Sequence, residues 1–152
     1  MDPTSGQRWQ ILFRQHAHLR GSIRSAQCAA HEVLAAHQGC GTLQARVLLL
    51  QGELLLHLAD EERLLEPILA SFDERGPVRA GLMRAEHAHQ RAILAVLTGP
   101  MVWPVAMLLA GRTLSLCDDL LVDMEFEERE LMNERVLPDD LPVLVAIEAK
   151  GA

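Results

Sequence analysis

Aromatic residues are scarce in this chain of 152 residues, which contains three Phe, two Trp and no Tyr. Runs of Val, Ile, Thr and Tyr, which favour strands, are also missing. Leu, Ala, Glu and Arg, which favour helices, dominate the composition instead. The length fits one domain. We therefore predict an all-α fold in a single domain that spans residues 1–152.

Cysteines, long apolar runs and excess positive charge are scarce as well. Cys28, Cys40 and Cys117 have no CxxC spacing, which excludes a disulfide framework and a zinc knuckle. Residues 1–10 have no apolar signal core, and the run Val47–Leu58 is too short and too polar to cross a membrane. The formal net charge of −7 disfavours nucleic acid and anionic lipid. We expect a cytoplasmic protein with no nucleic-acid or membrane partner.

Gly and Pro divide the chain into four long segments, in which Leu recurs at helical spacing. We predict helices over residues 7–38, 42–74, 77–97 and 105–136, followed by a short tail over 138–152. Pro67 should kink the second helix or end it early. Four helices with short loops favour an antiparallel up-down-up-down bundle.

The two halves of the chain resemble each other. Residues 16–20 and 87–91 share the pattern HAHxR, and residues 57–63 and 123–129 share the pattern [H/D]xxxEER. Each half therefore consists of one helix with the first pattern and one helix with the second. A helical hairpin duplicated in this way predicts approximate two-fold symmetry, with matching positions near the middle of the bundle.

His57 precedes Glu61 by four residues, and Asp123 precedes Glu127 by four residues. The two side chains of each pair can therefore project from one helix face. If these faces and one histidine from each HAHxR helix point inward, they surround a common centre. Imidazole and carboxylate together suit iron, and carboxylates can bridge two metal ions about 3.5–4 Å apart. The spacing therefore predicts a metal site inside the bundle.

Each HAHxR motif offers two histidines, which lie on different helix faces because they are two residues apart. We favour His16 and His87 as ligands, since each lies among apolar neighbours at helical spacing and is followed four residues later by Arg. His18 and His89 remain the alternative, as ligands or as orienting groups.

Other polar residues near these motifs have more ordinary interpretations. Glu62 and Glu128 are expected to be solvated, to pair with nearby Arg side chains or to orient the ligands. Glu53 and Asp119 precede His57 and Asp123 by four residues and could also face the site. His31 and His37 lie roughly 20 Å or more along the helix from His16 and are expected at the surface or in a loop.

These motifs resemble the hemerythrin-like cation-binding domain over residues 11–137. The resemblance is carried by the segments QHAHLRGSI, HLADEERLLEPIL, EHAHQRAIL and DMEFEERELMNERVL. It implies a four-helix bundle with two non-haem iron ions, bridged by carboxylates and an oxo or hydroxo group. The implied metal ligands are His16, His57, Glu61, His87, Asp123 and Glu127.

Two positions depart from that family's pattern. Asp123 stands where the family usually has His, which makes the site harder and more negative and leaves open whether it is degenerate. Arg91 stands where oxygen-carrying hemerythrins have a further His, which argues against oxygen transport. The resemblance then implies binding of O2, NO or peroxide, in sensing, scavenging or iron and redox homeostasis.

Two other functions compete with this interpretation. A ferritin-like di-iron carboxylate enzyme needs two ExxH motifs, but only Glu86 to His89 forms one, because its counterpart begins with Gln15. The second alternative is a metal-free interaction bundle, in which the change to Asp123 has abolished metal binding. No catalytic residue or organic cofactor is predicted, so enzyme activity is left open. A homodimer through an exposed Leu stripe is compatible with the sequence.

Overall fold

The computed structural model describes residues 5–36, 40–100, 102 and 105–132. In these ranges the chain is helical and contains no strand, which confirms the predicted all-α class. The elements are α1 (Ser5–Ala36), α2 (Gly41–Leu64), α3 (Glu66–Phe72), α4 (Gly76–Leu97), α5 (Ala106–Phe126) and a π-helical turn (Glu127–Leu131). Each described helix is too short or too polar to span a lipid bilayer. The predicted tail over 138–152 lies outside the described residues.

Each long helix buries one narrow stripe of side chains. In α1 the buried positions are 12, 16, 19, 23, 26, 29, 30 and 33, which follow steps of three and four residues apart from the adjacent pair 29 and 30. Helices α2, α4 and α5 follow the same spacing. Residues so spaced lie on one helix face, so each helix turns that face to the interior. Helix α1 packs against α2 and α5, and α4 packs mainly against α3 and less closely against α2 and α5.

One layer of polar side chains interrupts the apolar stripes. It consists of His16, His57, Glu61, His87 and Glu127, all at buried stripe positions. On one side lies a large apolar cluster that includes Ile23, Leu50, Leu94 and Leu109. On the other side lies a smaller cluster that includes Leu12, Leu65, Leu69 and Met83. Since each buried Leu or Ile contributes about 1.5–3 kcal/mol, the two clusters hold the polar layer in place.

The helix predicted over residues 42–74 is two helices in the structure. Helix α2 ends at Leu64, and Pro67 stands in the first turn of α3, where its missing N–H is no loss. The amide of Leu65 donates to Glu61 O at 2.8 Å and the amide of Leu69 to Leu65 O at 3.0 Å. The chain is thus interrupted one turn after Glu61.

The predicted fourth helix also changes form. Helix α5 ends at Phe126, and the amide of Met132 donates to Glu127 O at 2.8 Å across five residues, as in a π-helix. Such wide turns are frequent at functional sites, and this one begins at a predicted metal ligand. The remainder of that predicted helix, beyond Met132, lies outside the described residues.

Two glycines of α4 should respond oppositely to alanine. A Cβ at Gly76 would collide with the carbonyl oxygens of Leu69 and Ala70, so we expect Gly76→Ala to destabilise the fold by about 1–3 kcal/mol. Gly81 has no neighbour within 4 Å of an added Cβ, so Gly81→Ala should stabilise the helix by roughly 0.5–1 kcal/mol. Urea unfolding measures both, and equal effects would contradict the close approach of α3 to α4.

Candidate metal centre

Three imidazoles from α1, α2 and α4 surround the carboxylate of Glu61. His57 Nε2 lies 3.4 Å and His16 Nε2 3.9 Å from Glu61 Oε1, and His87 Nε2 lies 3.2 Å from Glu61 Oε2. Glu127 Oε2 lies 3.4 Å from His16 Nε2. None of these five residues is more than 4% exposed, so the cluster is almost entirely buried.

Several atoms at this centre have no hydrogen-bond partner. They are His16 Nε2, His87 Nε2 and both carboxylate oxygens of Glu61. A buried polar atom left without a partner costs about 1–3 kcal/mol, and such atoms are rare in folded proteins. One ligand atom from each of His16, His57, Glu61 and Glu127 lies within 4.8 Å of the others. This group could hold a metal ion, which would satisfy His16 Nε2 and Glu61; His87 lies outside the group.

The far side of the His16 ring is fixed by a carboxylate and a guanidinium. His16 Nδ1 lies 2.8 Å from Glu128 Oε1. Arg20 donates to both oxygens of Glu128, at 2.7 and 2.9 Å. Because a carboxylate accepts the bond, Nδ1 carries a proton, and Nε2 is the nitrogen that faces the cluster. In the neutral imidazole this leaves the lone pair on Nε2, as metal binding requires.

The same arrangement recurs around His87. Its Nδ1 lies 3.0 Å from Glu62 Oε1, and Arg91 donates to both oxygens of Glu62, at 2.7 and 3.0 Å. The Arg–Glu–His contacts therefore occur twice, on residues that the sequence comparison of the two halves had already paired. Glu62 and Glu128 each take a role that the sequence had allowed them, as orienting groups bound to Arg.

His57 is oriented by an amide. Its Nδ1 lies 3.2 Å from Gln15 Oε1, and Gln15 Nε2 donates to Asp60 Oδ2 at 2.6 Å. The amide oxygen accepts the Nδ1 proton, so Nε2 of His57 also faces Glu61. Sequence reasoning missed Gln15 as a contributor to the site, because a lone Gln beside a histidine motif has no distinguishing signal.

Asp123 lies at the edge of the cluster. Gln90 Nε2 donates to Asp123 Oδ2 at 2.7 Å, and the side chain lines a cavity together with His87 and Glu127. Burial raises the pKa of the Asp123 carboxyl, and the charges of nearby carboxylates raise it further, against the effect of the Gln90 bond. Asp123 is thus half-buried and near the centre, but outside the group of four ligand atoms described above.

The other histidines and acids considered from the sequence lie away from the centre. His18, His31, His89 and Asp119 are exposed, and Glu53 accepts a hydrogen bond from Ser22. His37 lies outside the described residues. Of the two histidines in each HAHxR motif, it is the first that faces the interior.

Burial and mutual repulsion set the protonation of the carboxyl groups. Burial raises the pKa of Glu127 to about 8, and the charges of Glu61 and Asp123 contribute. Burial also opposes ionisation of Glu61, but the nearby imidazoles of His16 and His87 outweigh it and lower the pKa of Glu61 to about 2. Without a metal, one carboxyl at the centre therefore keeps its proton near neutral pH.

The pKa values of the imidazoles His57 and His16 also move in opposite directions. Burial lowers the pKa of His57 to about 4. Burial acts in that direction on His16 too, but its bonds to Glu127, Glu61 and Glu128 raise the pKa to about 10. The metal-free centre is therefore internally compensated, with a proton on His16 and negative charge on Glu61.

No protein-family model, curated protein or solved structure matches this chain. The fold and the centre together define an all-helical protein with a buried histidine–carboxylate cluster that can hold a metal ion. Anything more specific depends on the chemistry of these residues.

Proposed function

We propose that this chain is a hemerythrin-like protein, an antiparallel up-down-up-down four-helix bundle that holds a non-haem di-iron centre. The observation that carries the proposal is the convergence of buried, unpartnered Nε2 and carboxylate atoms at one layer of the core. A donor set of imidazoles and carboxylates suits iron, whereas a structural zinc site would more commonly include thiolates. The residues present therefore fit the proposed metal.

The donors would divide into two sets. His16 and His57 would hold one metal ion, His87 and Asp123 would hold the other, and the carboxylates of Glu61 and Glu127 would serve both. Glu61 supports this division, because its Oε1 faces His57 and His16 while its Oε2 faces His87. A carboxylate whose two oxygens face different imidazoles is suited to bridge two metal ions.

The repeated Arg–Glu–His contacts support the proposal that the bundle is a duplicated helical hairpin. Each guanidinium binds its carboxylate through two nitrogens, which fixes the plane of the carboxylate and, through it, the imidazole. Both halves thus orient their histidine with the same chemistry. Such orienting partners are typical of metal-binding histidines.

The proposed function is binding of O2, NO or peroxide in sensing, scavenging or iron and redox homeostasis, rather than oxygen transport. When bound, iron supplies the redox chemistry and the affinity for such ligands. The chain orients the donors and limits their contact with bulk water, because the polar layer lies between two apolar clusters and meets solvent at its Asp123 side. We also propose a cytoplasmic location, which the absence of disulfides among Cys28, Cys40 and Cys117 supports.

The test is metal content together with an absorption spectrum of the same sample, purified from iron-supplemented cells. We expect about two iron ions per chain and the near-ultraviolet and visible absorption of a ferric pair. The double variant His57→Ala/Glu127→Ala should lose both, since it removes one donor from α2 and one from the π-helical turn. The matched variant His18→Ala/Asp119→Ala changes two exposed residues and should retain both.

Circular dichroism of the protein and of each variant shows whether the helices remain folded. An intact helical protein with no metal would contradict the proposal and leave a bundle that acts through its surface. A colourless protein that contains zinc would support a metal site at this position but contradict iron as its metal. Iron that persists in the double variant would place the metal elsewhere in the chain.

A further inference from the structure

An open cavity lies against the Asp123 side of the polar layer. Its volume is about 280 Å³, and Asp123, His87 and Glu127 form part of its wall. The rest of the wall is mainly apolar and comes from α4, α5 and the π-helical turn, with Leu82, Met83, Phe126 and Leu131 beside Arg79 and Glu86. The cavity therefore combines an apolar chamber with direct access to the proposed metal donors.

The cavity is larger than a diatomic ligand requires. An engineered cavity of about 150 Å³ is enough to bind benzene, and a water molecule takes up about 30 Å³ of liquid. At about 280 Å³ this cavity has room for a substituted ring or a short branched chain. Its size approaches the lower limit of small-molecule pockets, about 300 Å³.

The matching region in the first half of the chain is bridged by side chains. There Gln15 bonds both His57 and Asp60, so that the amide spans the space between α1 and α2. In the second half the positions of Gln15 and Asp60 are taken by Glu86, which is exposed, and by Phe126, which has no polar side-chain atom. These two positions cannot form the same bridge; Gln90 bonds Asp123 instead, from the next turn of α4, and Asp123 is shorter than the imidazole of His57. The cavity is therefore a specific consequence of how the two halves differ.

The surroundings of the cavity favour an apolar ligand. Leu82 is 66% exposed and Phe126 47% exposed, and Val122 in the adjoining groove is 69% exposed. Exposed apolar side chains grouped in this way mark binding surfaces. A ligand can therefore reach the chamber across a surface that is itself apolar.

The charges around the cavity disfavour an anion. Three carboxyl groups line it, those of Glu86, Asp123 and Glu127. The lining guanidinium, that of Arg79, is bound to Asp73 at 2.7 Å, so its charge is already compensated. In the metal-free protein a negatively charged ligand would therefore find no uncompensated guanidinium in this wall, whereas bound metal ions would add positive charge beside it.

We propose that this cavity binds a small, uncharged, mainly apolar organic molecule of about the size of phenol, against the Asp123 side of the centre. The inference deepens the proposed function and shares its site, since the ligand lies beside the donors of the second metal position. Binding itself needs no metal, because the apolar walls and the volume belong to the protein alone.

The test follows the methyl groups of ¹³C-methyl-labelled methionines by NMR, in the full chain, both metal-free and zinc-loaded. Phenol and toluene are the neutral probes, and benzoate is the anionic probe of similar size. We expect saturable shifts of the Met83 methyl with the neutral probes in both forms and, in the metal-free form, at least tenfold weaker binding of benzoate, whose carboxylate is itself a zinc ligand. Leu82→Trp, at an exposed position of the wall, should fill the cavity and weaken phenol binding at least tenfold.

The control variant is Val96→Trp, which adds the same side chain to the same helix at a position 45% exposed and away from the cavity wall. It should bind phenol as the parent protein does. Lack of a Met83 response, equal binding of benzoate in the metal-free form, or equal loss in both Trp variants would each overturn the proposal. Phenol binding by a protein that takes up no iron would support the cavity and reject the di-iron function. Two iron ions per chain without phenol binding would support the di-iron function and reject the cavity as a binding site.

Discussion

Glu61→Gln is expected to lower metal affinity more than any other single substitution in the centre. Glu61 is the residue that faces all three imidazoles, and neither of its oxygens has another partner. The amide keeps the volume of the side chain but removes the negative charge and one acceptor oxygen, so it cannot bridge two metal ions. The fold should persist if His16 gives up the proton that it holds opposite Glu61, since the charge of both groups is then removed together; helical circular dichroism of the metal-free variant checks this.

Competition with a chelator of known affinity measures the effect. Residues that only orient a ligand are worth roughly 10–100-fold in affinity, so Glu62→Gln and Glu128→Gln should each lose about that much, and Glu61→Gln should lose more. Glu53→Gln is the control, since Glu53 lies two turns earlier on α2 and bonds Ser22. If Glu61→Gln lost no more affinity than the two orienting variants, Glu61 would not be the central ligand.

The sequence is informative about the centre because the candidate metal ligands recur with the same spacing of three and four residues as the buried apolar side chains. His16, His57, Glu61 and His87 continue the three-and-four spacing of the buried Leu and Ile residues. A polar residue at a core position is costly unless it has a partner, so its appearance in the stripe indicates a function. The exposed His18 and His89 fall off the stripe, which is why the apolar neighbours could separate the two members of each motif.

Other features depend on tertiary contacts that no local pattern reports. Gln15 bonds His57 across a helix interface, and nothing in its segment distinguishes it from a solvated Gln. Gln90 lies on the buried stripe of α4, but nothing in its segment indicates that its partner is Asp123. The π-helical turn at Glu127 arises from backbone bonding, and the segment EEREL would equally suit an α-helix. Pro67 did signal a break in the second helix, but whether the chain would kink or stop depends on how α3 packs against α4.

The same limit applies to charge pairing. Arg63 was as good a sequence candidate for Glu62 as Arg91, since it is the adjacent residue. In the structure Arg63 bonds Asp60 at 2.7 Å, while Arg91 reaches Glu62 from another helix. Adjacent residues on a helix point in different directions, so the partner is supplied by packing. The period of the stripe predicted which residues turn inward, and the packing of the helices decided what orients them.

Glu127→Gln should stabilise the metal-free protein at alkaline pH and leave it nearly unchanged at acid pH. Burial, with the charges of Glu61 and Asp123, raises the pKa of Glu127 from 4.5 to about 8 in the folded state. A raised pKa means that the folded state binds the proton more tightly than the unfolded state. The stabilisation is then fully present below 4.5 and is lost as the pH rises through 8.

The amide of Gln imitates the neutral carboxyl and does not titrate. Since one unit of pKa shift corresponds to about 1.4 kcal/mol, the variant should exceed the parent protein by on the order of a few kcal/mol at about pH 9, and the difference should shrink towards about pH 5. Urea unfolding at several pH values, after treatment with a chelator, measures the difference. Glu130→Gln, on the same turn and 50% exposed, should show none.

With metal bound, the parent protein should be more stable than Glu127→Gln at alkaline pH. A carboxylate ligand must lose its proton to bind, so metal binding replaces the proton that Glu127 holds and removes the alkaline loss of stability in the parent protein. The Gln variant has no such proton to exchange and should gain less from metal. A parent protein whose metal-free stability did not fall between about pH 5 and pH 9 relative to the variant would show that Glu127 is already ionised in the empty fold. The carboxyl group that destabilises the metal-free fold at alkaline pH is, on this account, the one that the metal needs.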